Sequence, residues 1–170
     1  MRFRPDVFVE TVFDIDLNDM KARGIKAFFF DIDNTLEEYS TPLPTDKSIS
    51  LFRKLSGEGF IVAIISNAKE PRVLKFVSGF PDHDFPEVHY VFEALKPRKK
   101  GFDYLSGKLG LKPSEIAMVG DQVFTDILGG NNYGALSIAV RPINMNIEPW
   151  FVRFKRFFER PFAAYVKKNK

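Results

Sequence analysis

The sequence predicts an α/β domain of three layers, a Rossmann-like arrangement with helices on both faces of a five-stranded parallel sheet. Three observations carry that prediction. Five short apolar runs, 25–30, 60–65, 88–92, 115–119 and 135–140, read as buried parallel strands. Helix-like stretches alternate with them at 45–56, 70–78, 98–109 and 124–132, which calls for βαβ units and right-handed crossovers. The chain has 170 residues, 45% hydrophobic and 28% charged, enough for one core and ordinary for a soluble globular domain.

Each element has its own signal. Residues 1–24 read as an arm and a short helix from Asp16 to Arg23, stopped by Gly24. IKAFFF at 25–30 and FIVAII at 60–65 are unbroken apolar runs. Between them a helix begins at Thr45 or Asp46 as N-cap and stops at Gly57. Pro71 suits the first turn of the next helix, and VHYVF at 88–92 follows it. The helix at 98–109 ends near Gly110, and EIAMV at 115–119 leaves its strand at Gly120-Asp121. Gly129-Gly130 reads as a helix-end feature, because no P-loop lysine accompanies it. ALSIAV at 135–140 is the last strand.

Composition excludes several chemistries. There is no cysteine, so disulfides, thiolate zinc sites, iron–sulfur clusters and cysteine nucleophiles drop out. No apolar run reaches the ~18–20 residues that cross a bilayer, and no signal peptide is read at residue 1. The expected location is cytoplasmic. Charge is uneven: residues 150–170 carry seven basic side chains and one acid, a net +6, so residues 1–149 sum to −3. A basic patch confined to a tail suggests a docking surface and no nucleic-acid partner.

The same tail holds Trp150, Phe151, Phe154, Phe157, Phe158, Phe162 and Tyr165 at helical spacing, with Pro161 dividing it into helices at 149–159 and 161–168. One reading packs this aromatic stripe on the core. Another lays it on an anionic membrane surface, on the inner face of the membrane, and a third gives it a protein partner. The expected organisation is therefore a catalytic domain over 1–148 and a basic, aromatic, amphipathic tail over 149–170.

Ligands in parallel sheets bind beyond the carboxyl ends of the strands. The strand exits here carry Asp31-Ile32-Asp33-Asn34-Thr35, Ser66-Asn67, Lys96-Pro97, and Gly120-Asp121 with Asp126. Asp31, Asp33, Asp121 and Asp126 on one rim would repel, by about 4 kcal/mol for two charges ~4 Å apart at an effective dielectric near 20. Such a cluster requires a cation or raised pKa values. Oxygen donors without His or Cys point to Mg²⁺. Ser66, Asn67 and Lys96 add hydroxyl, amide and ammonium donors, and the set describes a site for a phosphoryl dianion. Asp31 suits in-line attack on phosphorus, giving an aspartyl-phosphate. Asp33 suits protonation of the departing oxygen and then deprotonation of water.

FFFDIDNT, IISN, Lys96 and GDQVFTD (120–126) together resemble the four motifs of the haloacid dehalogenase (HAD) superfamily. That resemblance implies Asp31 as nucleophile and Asp33 as acid/base. It implies phosphate binding by Ser66 and Lys96. It implies Mg²⁺ on Asp31, on the main-chain carbonyl of Asp33 and on Asp121, with Asp126 direct or through water. Thr35 looks structural in that family. Over most of the chain, RPDVFVETVFDIDLNDMKARGIKAFFFDIDNTL, SNAKEPRVLKF and GDQVFTDILGGNNYGALSIAVRPI resemble the YqeG-type HAD-IIIA phosphatases. That group is related to the phosphatidylglycerophosphate phosphatases. Glu37 and Glu38 stand where an apolar residue is expected after DNTL, and are expected near the site entrance.

From Asp31 to Ser66 is 35 positions and from Ser66 to Lys96 is 30, each filled by a loop, a helix and a strand. Neither leaves room for a cap domain. An open site expects a bulky substrate, here a phosphorylated lipid headgroup at a membrane. The alternatives are a soluble metabolite or phosphoprotein, or an idle HAD fold that only binds. His83 and His89, with Asp84 and Glu87, read as polar turn and strand positions, not as metal ligands.

Overall fold

Phe28, Phe29 and Phe30 are all wholly buried, as a strand covered on both faces requires. The computed structural model describes residues 3–81 and 87–159. In chain order the elements are β1 (Val7–Val9), α1 (Leu17–Ala22), β2 (Ala27–Phe30), α2 (Asp46–Gly57), β3 (Ile61–Ile65), α3 (Glu70–Val77), β4 (His89–Val91), α4 (Lys100–Leu109), β5 (Ile116–Gly120), α5 (Leu128–Tyr133), β6 (Leu136–Val140) and α6 (Trp150–Glu159). All strand pairs are parallel, in the order β1-β6-β5-β2-β3-β4.

The sheet has six strands where the sequence predicts five. The sixth is β1, in the stretch expected to be an arm. Three residues give no readable periodicity, and side chains outside the strand fix it. Asp6 Oδ2 accepts from the Ser137 amide at 2.9 Å and the Ser137 hydroxyl at 3.0 Å. At the other end Glu10 pairs with Arg141.

Side chains alternate across the strands. Phe28, Phe30, Ile64 and Val119 face one core with Phe52 and Leu55 of α2 and Phe76 of α3. Phe29, Ala63, Ile65 and Met118 face the other, with Phe102 and Leu105 of α4. The three predicted layers are thus present, and no inserted domain interrupts residues 31–45 or 66–69.

Two local expectations are corrected. Gly129 and Gly130 lie inside α5, not at its end. A Cβ on Gly129 would meet Phe102 at 3.2 Å, and one on Gly130 would meet Met118 at 3.0 Å, so these glycines let α5 pack closely. Glu37 is buried, with its carboxylate turned to the start of α2. Its Oε1 accepts from the Thr45 amide and hydroxyl, each at 2.7 Å, and from the Ser48 hydroxyl at 2.6 Å. That carboxylate ties the loop after β2 to the N-cap and first turn of α2 and places a negative charge at the helix N-terminus. The segment around His83 and the helix expected at 161–168 lie outside the described residues.

Candidate active site

Six parallel strands bring their carboxyl ends to one rim, and the motif residues follow four of them, β2, β3, β4 and β5. Asp31 is the first residue past β2 and Ser66 the first past β3. Asp121 is the first past β5, and Asp126 sits in a wide π-helical turn over Val123–Ile127. Gly120 is required by that turn: a Cβ there would lie 2.4 Å from the Asp126 side chain. The Gln122 amide donates to Asp126 Oδ2 at 3.0 Å, closing the loop on itself.

Asp31, Asp121 and Asp126 are buried, and each offers an oxygen within 4.8 Å of the others. Lys96 reaches them from the loop after β4. Its Nζ lies 2.8 Å from Asp31 Oδ1 and 2.8 Å from Asp126 Oδ1, almost wholly buried. Asn67 holds the main chain of Lys96, donating to its carbonyl at 3.0 Å and accepting from its amide at 2.7 Å. The sequence reading gave Asn67 to phosphate; here most of its amide is used as a brace. Ser66 is buried, and its Oγ accepts from the Ala68 amide at 3.1 Å, leaving the hydroxyl proton for another acceptor.

Asp33 stands apart from the three-acid cluster. Its Oδ1 accepts from Arg72 at 3.0 Å and from the Ser40 amide at 3.0 Å. Arg72, at the start of α3, was not singled out from sequence. A lone arginine in a first helical turn carries no signal until the fold brings α3 beside the loop after β2. Thr35 donates to Asp121 Oδ1 at 3.2 Å, a bracing contact. Asn34 adopts φ +62°, donates to Glu148 Oε1 at 2.6 Å and accepts from the Asn144 amide at 3.0 Å. The loop after β2 is thereby tied to the segment leading into α6.

α6 itself reaches the site. Arg156 pairs with Asp121 and with Glu148, and Glu159 Oε1 accepts from the Phe124 amide at 2.8 Å. A cavity of about 230 Å³ over the acids is bordered by Asp31, Asp33, Ser66 and Lys96 on its floor, and by Phe151 and Lys155 of α6 at its mouth. For the described part of the tail the core-packing reading is corrected: Val152, Arg156 and Glu159 face inward, while Trp150, Phe151, Phe154, Phe157 and Phe158 are exposed.

Electrostatics follow from burial. Burial pushes the Asp31 carboxyl up to about 8, against the pull of Lys96 and with the push of Asp126 and Asp121. Burial likewise raises Asp121 to about 7, opposed by Arg156. Lys96 runs the other way: burial opposes its charge, but Asp126 and Asp31 hold it well above the ordinary lysine value. Among the described residues, the ion pairs at this point set Asp31, Asp121, Asp126 and Glu148 against Lys96 and Arg156.

Comparison with known proteins is consistent with this geometry. The HAD-hydrolase-like family model matches residues 94–142, which include Lys96, Asp121 and Asp126. A Bacillus subtilis protein named "Probable phosphatase YqeG" is 34% identical over 169 residues, 98% of this chain and 93% of that protein. The chain belongs to the YqeG-type phosphatases of the HAD superfamily. This HAD phosphatase is also 30% identical over 167 residues to phosphatidylglycerophosphate phosphatase 1 of Arabidopsis thaliana, covering 91% of this chain and 45% of that one. It thus spans about half the length of that plant relative. Among solved structures, the cobalt-bound deoxy-D-mannose-octulosonate 8-phosphate phosphatase of Haemophilus influenzae superposes with a TM-score of 0.53 at 16% identity, covering 88% of this chain and 96% of that one. The magnesium- and phosphate-bound enzyme from Moraxella catarrhalis gives 0.51 at 16% identity, covering 91% and 100%. These likenesses show the fold.

Proposed function

We propose that this HAD phosphatase is Mg²⁺-dependent, forms an aspartyl-phosphate on Asp31, and hydrolyses the terminal phosphate of a lipid headgroup, phosphatidylglycerophosphate, at a membrane surface. The observation that carries the chemistry is the buried triad of Asp31, Asp121 and Asp126 with Lys96 between two of them. With all four acids ionised, the two cations paired to them leave a deficit that one divalent ion matches. The donors are all hard oxygens, which fits Mg²⁺. Asp31, Asp121, Asp126 and the Asp33 carbonyl are the residues that would hold it. Bound there, it supplies charge neutralisation to a phosphoryl oxygen and keeps Asp31 ionised.

The protein's own residues do the rest. Lys96 and the Ser66 hydroxyl bind phosphoryl oxygens and hold the phosphorus in line with Asp31. An Asp31 oxygen bonds to phosphorus as the bond from phosphorus to the alcohol oxygen breaks. Asp33 delivers a proton to that departing oxygen. It then takes a proton from water as the water oxygen bonds to phosphorus and the Asp31–phosphorus bond breaks, releasing inorganic phosphate. Arg72 positions Asp33 through both half-reactions.

The lipid assignment rests on the named substrate of the plant relative, on the absence of an inserted cap over the described site, and on the aromatic helix at its mouth. One observation favours a second reading, a soluble phosphomonoester. The phosphoglycolate phosphatase of Pasteurella multocida is 30% identical over 128 residues, covering 73% of this chain and 56% of that one. A substrate panel separates them. Phosphatidylglycerophosphate in mixed micelles should be cleaved with kcat/KM roughly 100-fold above phosphoglycolate and sugar phosphates. Asp31→Asn should abolish release from every substrate. Equal or better turnover of soluble esters overturns the lipid assignment. Undiminished release by Asp31→Asn overturns the chemistry.

A further inference from the structure

Thirteen large hydrophobic side chains are exposed among the described residues, and their placement is lopsided. Only Leu74 and Tyr104 lie on the helices that flank the sheet. The other eleven fall in α6 or in segments that leave the carboxyl ends of β1, β2, β4 and β6, the rim that carries the active site. Phe13, Leu43, Leu95, Ile143 and Met145 are examples outside α6. Single exposed hydrophobics need no explanation, but a set gathered around one rim marks an interaction surface.

α6 concentrates this surface. At about 100° per residue, Val152, Arg156 and Glu159 share an inner arc about 60° wide. Each of the two charged members is used inside, on Asp121 and Glu148 or on the Phe124 amide. Trp150, Phe154, Phe157 and Phe158 cover the opposite arc at 78%, 59%, 60% and 51% exposure. Arg153 and Lys155 stand exposed at the two borders between these arcs. The sequence that follows, 160–170, adds four basic side chains and no acid. An aromatic face bordered by cations complements an anionic bilayer: rings enter the interfacial region while Arg and Lys meet the headgroups.

We propose that the outer face of α6, with the hydrophobic rim beside it, docks on an anionic lipid bilayer, and that α6 stands in for a cap domain. This rests on the phosphatase reading above and extends it to the surface on which the enzyme works. The helix is attached to the site through Arg156 and Glu159, so docking it sets the cavity mouth, at Phe151 and Lys155, against the headgroup layer. The charged inner arc and the aromatic outer arc are two ends of one device. The first fixes the helix to the acidic cluster, and the second carries that cluster to the membrane.

The test uses the full-length chain and a triple variant, Trp150→Ser, Phe154→Ser and Phe157→Ser. Sedimentation is measured with vesicles of phosphatidylcholine alone and with 30% phosphatidylglycerol. The wild type should bind the anionic vesicles at least ~10-fold more tightly than the neutral ones, and the triple variant should lose at least ~10-fold of that binding. Turnover of p-nitrophenyl phosphate should stay within ~2-fold of wild type, since none of the three side chains lines the cavity. The proposal is overturned if the wild type ignores anionic vesicles, or if the triple variant binds them as well as wild type. It is also overturned if the aromatic face proves to be covered by a second copy, seen as a dimer that the triple variant makes monomeric. A short-chain, monomerically dissolved phosphatidylglycerophosphate separates the two readings. Cleavage of it without vesicle binding removes the docking surface and keeps the substrate. Vesicle binding without cleavage does the reverse.

Discussion

Lys96 and Arg156 both place a cation on the same acidic cluster, and they are anchored in different ways. Lys96 comes from the loop after β4, with its backbone held by Asn67 and its ammonium enclosed between Asp31 and Asp126. Arg156 comes from a terminal helix that, among the described residues, is tied to the site by side chains: its own pairs with Asp121 and Glu148, and the Glu159 bond to Phe124. The first cation belongs to the sheet's own frame. The second belongs to an element that can be removed without touching a strand. One cation is thus fixed by the sheet and its loops, and the other is attached to them by charge.

The sharpest way to break this distinction is to remove each cation in turn. Lys96→Met leaves Asp31 and Asp126 buried without their shared partner. Breaking a buried pair costs about 3–5 kcal/mol, a fall in Tm of roughly 10 °C for a chain of this size. Phosphate release should drop at least ~100-fold. A variant that keeps both its Tm and its rate would show that Lys96 is not part of the frame.

Arg156→Met should act more gently and elsewhere. With the link to Asp121 and Glu148 gone, α6 should detach, and trypsin should cut after Arg153 and Lys155 several-fold faster than in the wild type. The sheet domain should keep its cooperative melt, with Tm lowered by only a few degrees. An unchanged cleavage rate would mean that the helix is held by something other than these charges.

The smallest effect concerns metal and pH. Burial raises Asp31 to about 8 and Asp121 to about 7 from an ordinary 3.8, so the fold holds protons there that the unfolded chain has released. Stability from these two groups is therefore present in acid and is lost as pH climbs toward 8 in metal-free protein. A divalent ion favours their ionised forms and cancels that loss. The rise in Tm on adding Mg²⁺ should be a few degrees larger at pH 8 than at pH 5. Comparing with and without Mg²⁺ at each pH removes the background of other groups, His89 included. An equal rise at both values would detach the cluster from metal binding.

Much of this was legible in the sequence because parallel strands write themselves as apolar runs, and their ends are where motifs collect. Asp31, Ser66, Lys96, Asp121 and Asp126 all fall where that rule places them. What escaped were features set by tertiary neighbours. β1 is three residues long and depends on Ser137 and Arg141, more than 125 positions away. Arg72 gains meaning only when α3 brings it to Asp33. Glu37 is an acid in a place where the family pattern leads one to expect an apolar residue. Its burial follows from donors at Thr45 and Ser48 that no linear pattern announces. The tail shows the same limit. Its aromatic stripe is plain in the sequence, but which side meets the core is decided by Arg156 finding Asp121.

The most direct measurement of the central chemistry is to trap the acyl phosphate on Asp31. Enzyme turning over p-nitrophenyl phosphate with Mg²⁺ is quenched in acid, reduced with borohydride and mapped by peptide mass spectrometry. Reduction converts a phosphorylated aspartate to homoserine, and that conversion should appear at Asp31 alone and vanish in Asp31→Asn. Steady phosphate release with Asp31 unmodified, or homoserine at another acid, would contradict the account.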